Sequence, residues 1–182
     1  MRHLYALFFL VGASAAHAQP TLDLKGIAIG DTEEKVAALG LQCRPASQEM
    51  ALFADVSCSP PIRENSTIAG EAASYVAAEL IDGKVVSVTV LFNPRSYDQI
   101  DAAVTAKYGP APSDVASEIK TRGGVTYTNR VRTWRTGGSA ALELKRYSGS
   151  VTTGSINLKA DSYYPLVEQR QKAAGKKNAG DV

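Results

Sequence analysis

The chain has 182 residues, 45% of them apolar, with 20 Lys and Arg against 18 Asp and Glu. Charge this close to balance excludes general nucleic-acid binding, which rests on a strongly basic footprint. The length is enough for one domain with a real core, and the composition is that of a globular protein.

The N-terminus reads as an export signal. Arg2 and His3 give a basic start, Leu4–Val11 is a short apolar run, and Ala16-His17-Ala18 is a small-residue cleavage site. The expected product begins at Gln19 and is periplasmic or secreted. No cysteine stands at the cleavage site to carry a lipid, and no apolar run is long enough to span a bilayer. Cleavage also removes both histidines, His3 and His17. Ser-His-Asp and Cys-His catalysis and His-ligated metals are then excluded from the exported chain. The expectation is a protein with no catalytic residues, no metal and no cofactor.

In chain order, Gly26-Ile-Ala-Ile-Gly30 leads into Asp31-Thr-Glu-Glu34, the spacing of a helix N-cap and capping box with Asp31 as the cap. Val36 and Leu39 give this short helix its apolar side, and Gly40 ends it. Two short strands follow, each with one cysteine. In an exported chain Cys43 and Cys58 read as a disulfide. Pro60, Pro61 and small polar residues make 59–70 a loop.

Tyr75–Phe92 is two strand-like runs joined by Asp82-Gly83, the residue pair that a two-residue hairpin turn demands. Counting outward pairs Ile81 with Lys84, Glu79 with Val86, Ala77 with Val88 and Tyr75 with Val90. Val86, Val88, Val90 and Phe92 then share the core face. Ser96-Tyr-Asp-Gln99 opens a helix with Tyr97, Ile100, Val104 and Tyr108 at helical spacing, closed by Gly109-Pro110. Residues 111–124 read as a connection. Val125–Arg135 and Ala140–Tyr147 are strands around Thr136-Gly-Gly-Ser139, taken as a second two-residue hairpin. That register sets Val131 against Leu144 and Thr133 against Leu142, with Tyr127, in the core. Ser155–Ala160 is a last strand with Ile156 and Leu158 inward. Residues 166–182 form a polar, lysine-rich tail, a frayed helix or disordered, that offers a weak contact to anionic surfaces.

The fold class is therefore α+β. Residues 1–18 are the signal and 19–165 a single domain, with short helices on one face of an antiparallel sheet in two tandem helix-plus-strands halves. The run Gly26-Ile-Ala-Ile-Gly30-Asp31-Thr32, with Val36, Leu39-Gly40 and the helix exit Lys107-Tyr108-Gly109-Pro110, resembles small exported bacterial proteins of the SmpA/OmlA and β-lactamase-inhibitor-protein-like group. The resemblance implies a curved antiparallel sheet under short helices. It also implies action by binding other envelope proteins, as an inhibitor or an assembly component. The lipid-attachment cysteine of the outer-membrane members is missing here.

The candidate binding face is the open side of the last hairpin: Arg130, Arg132, Trp134, Lys145 and Tyr147. Arg, Trp and Tyr are the types enriched in interface hot spots. The competing reading is that Arg132 and Glu143 merely pair across strands and Trp134 tucks under a loop or the tail. The functional expectation is a soluble, non-catalytic periplasmic protein that presents this face to an envelope protein. A carrier of small ligands or cell-wall components is the alternative, and a histidine-free hydrolase a more distant one.

Overall fold

The computed structural model describes residues 21–62, 65–137 and 139–179. The expected signal peptide with its cleavage site, and residues 180–182 of the tail, lie outside them.

A small hairpin of β1 (Asp23–Leu24) and β2 (Ile27–Ala28) opens the chain, and α1 (Glu33–Ala38) follows. The cap of α1 is Thr32, whose hydroxyl accepts from the Lys35 amide. Asp31 instead accepts from the Ala28 amide and pairs with Lys35 at 2.8 Å, closing the turn before the helix. Val36 is fully buried, but Leu39 stays 47% exposed. Next come β3 (Gln42–Pro45) and β4 (Val56–Ser59), which pair with Cys43 opposite Cys58 and carry the expected disulfide.

After β5 (Thr67–Ile68), the long strands β6 (Glu71–Ile81) and β7 (Lys84–Phe92) form the central hairpin. Asp82 and Gly83 both have positive φ, 50° and 70°, as a type I′ turn requires. Ile81 meets Lys84 and Leu80 meets Val85, but Val86 then bulges and Glu79 pairs with Ser87. A bulge adds one residue to one strand and shifts every later pair. Tyr75 and Glu79 are thus not opposite Val90 and Val86. Val76 and Ala78 are the partners of Val90 and Val88 in the main core, and Val86 joins a second cluster.

A 3-10 turn at Pro94–Ser96, capped by Asn93, leads into α2 (Tyr97–Tyr108). Tyr97, Ile100 and Val104 are buried as their spacing predicts, while the Ser96 hydroxyl bonds Glu71 rather than capping the helix. The segment expected to be a connection holds β8 (Ser113–Lys120), which pairs along its whole length with β9 (Thr126–Thr136). Strands β10 (Ala140–Lys145) and β11 (Gly154–Ala160) complete the sheet. The chain ends in α3 (Tyr163–Ala179), so the expected tail is a helix through Ala179. Pro165 sits in its first turn, where no amide is needed. Tyr163 and Val167 are buried against Ile81, Val86 and Ala160, and Arg170 grips Asp55 through two bonds of 2.8 and 3.1 Å.

The sheet runs β3-β4-β6-β7-β11-β10-β9-β8, with β5 beside β6 and every pair antiparallel. The order is symmetric. α1 and then β3, β4, β6 and β7 make one half, α2 and then β8–β11 the other, and the halves meet at their last strands, β7 and β11. One face of the sheet carries the main core under α1, α2 and the β1–β2 hairpin. Fully burying an aliphatic or aromatic side chain there contributes about 1.5–3 kcal/mol. On the other face α3 packs at the first-half end, with Ile29 and Phe53 beside it. Tyr163 there reaches Glu79 at 3.4 Å, and Lys159 lies over the Tyr163 ring.

Candidate functional site

The register of the last hairpin decides where the candidate residues point. Thr136 pairs with Ala140, not Ser139, so Arg132 lies opposite Leu144, Trp134 opposite Leu142 and Val131 opposite Lys145. One residue of slip exchanges the two faces of a strand. The expected set is therefore split, with Arg130, Arg132 and Trp134 under α2 and Lys145 and Tyr147 on the opposite, open side.

The three residues under α2 have structural partners. Trp134 is 2% exposed and its indole N–H donates to the Gly109 carbonyl at 2.9 Å, which ties β9 to the exit of α2. Arg132 donates to both oxygens of Asp101 at 2.6 Å and to Asp114 at 3.1 Å. Arg130 grips Asp114 through two further bonds, and its hydrogen bond holds the Asp114 carboxyl below the usual range. These are the bolts between helix and hairpin. Arg132 faces Asp101 rather than Glu143, which pairs with Lys145 at 2.8 Å on the open face.

On the open side, Tyr147 meets Tyr127 edge to face, ring centroids 5.6 Å apart. The Tyr147 amide donates to the Asn129 side chain at 2.9 Å, which fixes the end of the hairpin. Residues 146–153, the connection from β10 to β11, then fold on themselves through Ser148 to Thr153 at 2.8 Å and the paired Ser150 and Thr152 hydroxyls. Gly154 must follow, because a Cβ there would come within 2.3 Å of Phe92.

Two clefts flank this connection. The larger, about 580 Å³, lies between the Asn93–Asp98 turn and Tyr127, Arg146, Tyr147, Val151 and Thr152. The second, about 460 Å³, lies against Ile119, Lys120, Thr121 and Asn129. Tyr147 and Val151 line both and form the ridge between them. In the first cleft Arg146 lies over the Tyr97 ring at 4.7 Å and donates to Asp98 at 2.5 Å. Burial raises the Tyr97 phenol to about 12, so it stays protonated.

Of the predicted residues only Tyr147 lines these clefts. Lys145 sits on the same face one pair away, beside Val131 and Glu143. Tyr127, Arg146, Arg95 and Asn129 are additions that the pattern of residues did not single out. The signal available for Tyr127 was its parity with Val131, which the wrong register turned inward. Among the described residues, no three His, Cys, Asp or Glu side chains group closely enough to hold a metal, and no helix is long and apolar enough to cross a membrane. No family model matches the chain, and neither a curated protein nor a solved structure shows significant similarity to it.

Proposed function

We propose that this is a non-catalytic binding protein of the bacterial envelope. It receives a segment of another protein on the open sheet face of its second half, as an inhibitor or an assembly component. The observation that carries the reading is the ridge of Tyr147 and Val151 between two clefts, with Tyr127 and Arg146 beside it. Tyr and Arg combine large contact area with polar ends, and a ridge between clefts suits a chain laid across it. The carboxylate here, Asp98, is taken up by Arg146. The disulfide suits an oxidising compartment and so supports export. The resemblance to small envelope proteins points the same way.

The test is crosslinking capture from periplasmic extract with the tagged protein, the Tyr127→Ala/Tyr147→Ala double variant and Arg130→Ala. The proposal expects one protein captured by the parent and by Arg130→Ala, and lost from the double variant. Capture indifferent to the two tyrosines would remove this face from consideration. A second reading, a carrier of small ligands or cell-wall components, is favoured by the size of the larger cleft. Pockets of about 300–1,000 Å³ suit small molecules, and Arg95 and Arg146 would favour an anionic group. A rise in melting temperature with a small anionic ligand, together with no captured protein, would make that reading the better one.

A further inference from the structure

We propose that β8 is the seam of a homodimer, in which two copies pair their β8 strands antiparallel and fuse the two sheets into one. Strand β8 is the free edge of the second half, and seven of its eight residues are exposed. Its pairing with β9 is regular from Ser113 to Lys120, with no bulge or proline to blunt the edge.

The direction of the free backbone groups fixes which registers can form. The Thr121 amide donates to the Val125 carbonyl at the hairpin end. Hydrogen-bonded pairs alternate along an antiparallel ladder, so Ser113, Val115, Ser117 and Ile119 bond β9. The amides and carbonyls of Asp114, Ala116, Glu118 and Lys120 therefore point outward, and no hydrogen bond to them is present among the described residues. A second β8 can bond only through those same even-numbered residues.

Three registers of that kind centre on the strand, and side chains separate them. With the two-fold at Ser117, Asp114 faces Lys120 of the other copy, Val115 faces Ile119, and Ala116 faces Glu118. Every outward backbone group then finds a partner. Moving one copy by two residues sets Asp114 against Glu118 in one direction and Glu118 against itself in the other. Like charges directly opposed destabilise a pair, and opposite charges and apolar pairs stabilise it. In the favoured register Arg132, Asp114 and the second copy's Lys120 alternate in sign across three strands. Val115, 55% exposed in the single chain, gains apolar cover. Directly opposed residues point to the same side of a sheet, so both copies present their Tyr147 clefts on one side of the joined sheet. The assembly is bivalent.

The test is sedimentation of the protein purified after export, over about 1–200 µM because an edge-to-edge contact is small, with cysteine crosslinking beside it. The parent should approach twice the monomer mass with rising concentration. Ala116→Pro removes an outward amide and leaves the β9 ladder its donors, so it should stay monomeric with an unchanged melting curve. Ser117→Cys sits on the two-fold with Cα atoms about 4.5 Å apart, within disulfide reach. Ser113→Cys lies about 27 Å from its copy at strand spacing. Mild oxidation should therefore crosslink Ser117→Cys at least about tenfold more than Ser113→Cys. A parent that stays monomeric throughout would overturn the proposal. So would a dimer that survives Ala116→Pro and crosslinks no better through position 117 than through 113.

Discussion

The two halves of the molecule follow one plan, a helix and then four antiparallel strands, yet they are finished differently. In the first half the face opposite the main core is covered by α3. Its edge strand, β3, is short, ends in Pro45 and is held to β4 by the Cys43–Cys58 disulfide. In the second half no element among the described residues covers the same face, the edge strand β8 is eight residues long and regular, and two clefts open beside Tyr147. The difference teaches where recognition can live. A covered face and a blunted edge serve stability, whereas a bare face held from behind by Trp134, Arg132 and Arg130 can meet a partner without loosening the fold.

The largest effect is expected at the second half's own support. Trp134→Ala should cost about 3–5 kcal/mol, the range for emptying a large aromatic site in a core. Calorimetry should register that as a fall in melting temperature of about 10 °C. Tyr147→Ala, on the other side of the same hairpin, should cost about 1 kcal/mol or less while it removes the proposed binding ridge. Equal costs would mean that the two sides are not different in kind.

The first half's staple comes next. Replacing Cys43 and Cys58 by Ala should lower stability by about 3 kcal/mol, the chain-entropy value for a loop of this length. A shifted urea midpoint with the two clefts' tyrosine signals unchanged would confine the damage to the first half. Asp101→Asn should cost less, about 1–2 kcal/mol. Arg132 and Asp101 are only 17% and 14% exposed, but Asp114 remains beside Arg132, so the charge is not left unpaired.

The smallest effect is at Glu79, under α3. Burial holds its carboxyl above the ordinary 4.5, although Ser87, Lys159 and Tyr163 pull the other way. The fold thus favours the protonated form. That contribution is complete below the unfolded-state value and is lost as pH rises through the folded one. Glu79→Gln, uncharged throughout, should melt slightly higher than the parent at about pH 7 and level with it at about pH 3. The opposite order at neutral pH would mean that the pairing with Lys159 outweighs burial.

Much of this fold was legible in the residues because local chemistry and tertiary structure agreed. Asp82-Gly83 made its turn, Tyr97, Ile100 and Val104 lined the buried side of α2, Ile156 and Leu158 faced inward, and Cys43 met Cys58. The failures are where one residue of backbone changes everything after it. The bulge at Val86 has no mark in a run of valines that would suit either register. The Gly137 turn closes on Ala140 rather than Ser139, and Gly-rich loops accept either length. Since strand side chains alternate, that single residue carried Trp134 from the open face into the core and split the predicted site. Strand β8 was missed for a different reason. Ser-Asp-Val-Ala-Ser-Glu-Ile-Lys buries almost nothing in the single chain, so it lacks the alternation by which a half-buried strand is recognised.

Tyr127 was hidden by the same slip, whereas Arg146 follows β10, whose faces the slip leaves unchanged, and no residue pattern tied it to Tyr97 and Asp98. What survived the slip were Lys145 and Tyr147, on the open face as expected because the faces of β10 are unchanged, and of the two Tyr147 lines the clefts. The candidate site was thus legible in its residue types and in one of its positions, but not in its grouping.

Everything assigned to the second half depends on the register that sets Trp134 opposite Leu142, and this chain makes that register directly readable because Trp134 is its only tryptophan. Acrylamide quenching of its fluorescence in the folded protein is the measurement. The folded protein should show blue-shifted emission and a quenching constant several-fold below that of the urea-unfolded chain, as a side chain 2% exposed requires. Red emission and ready quenching in the folded state would place Trp134 on the open face, return Arg130 and Arg132 to it, and contradict the division between the two faces.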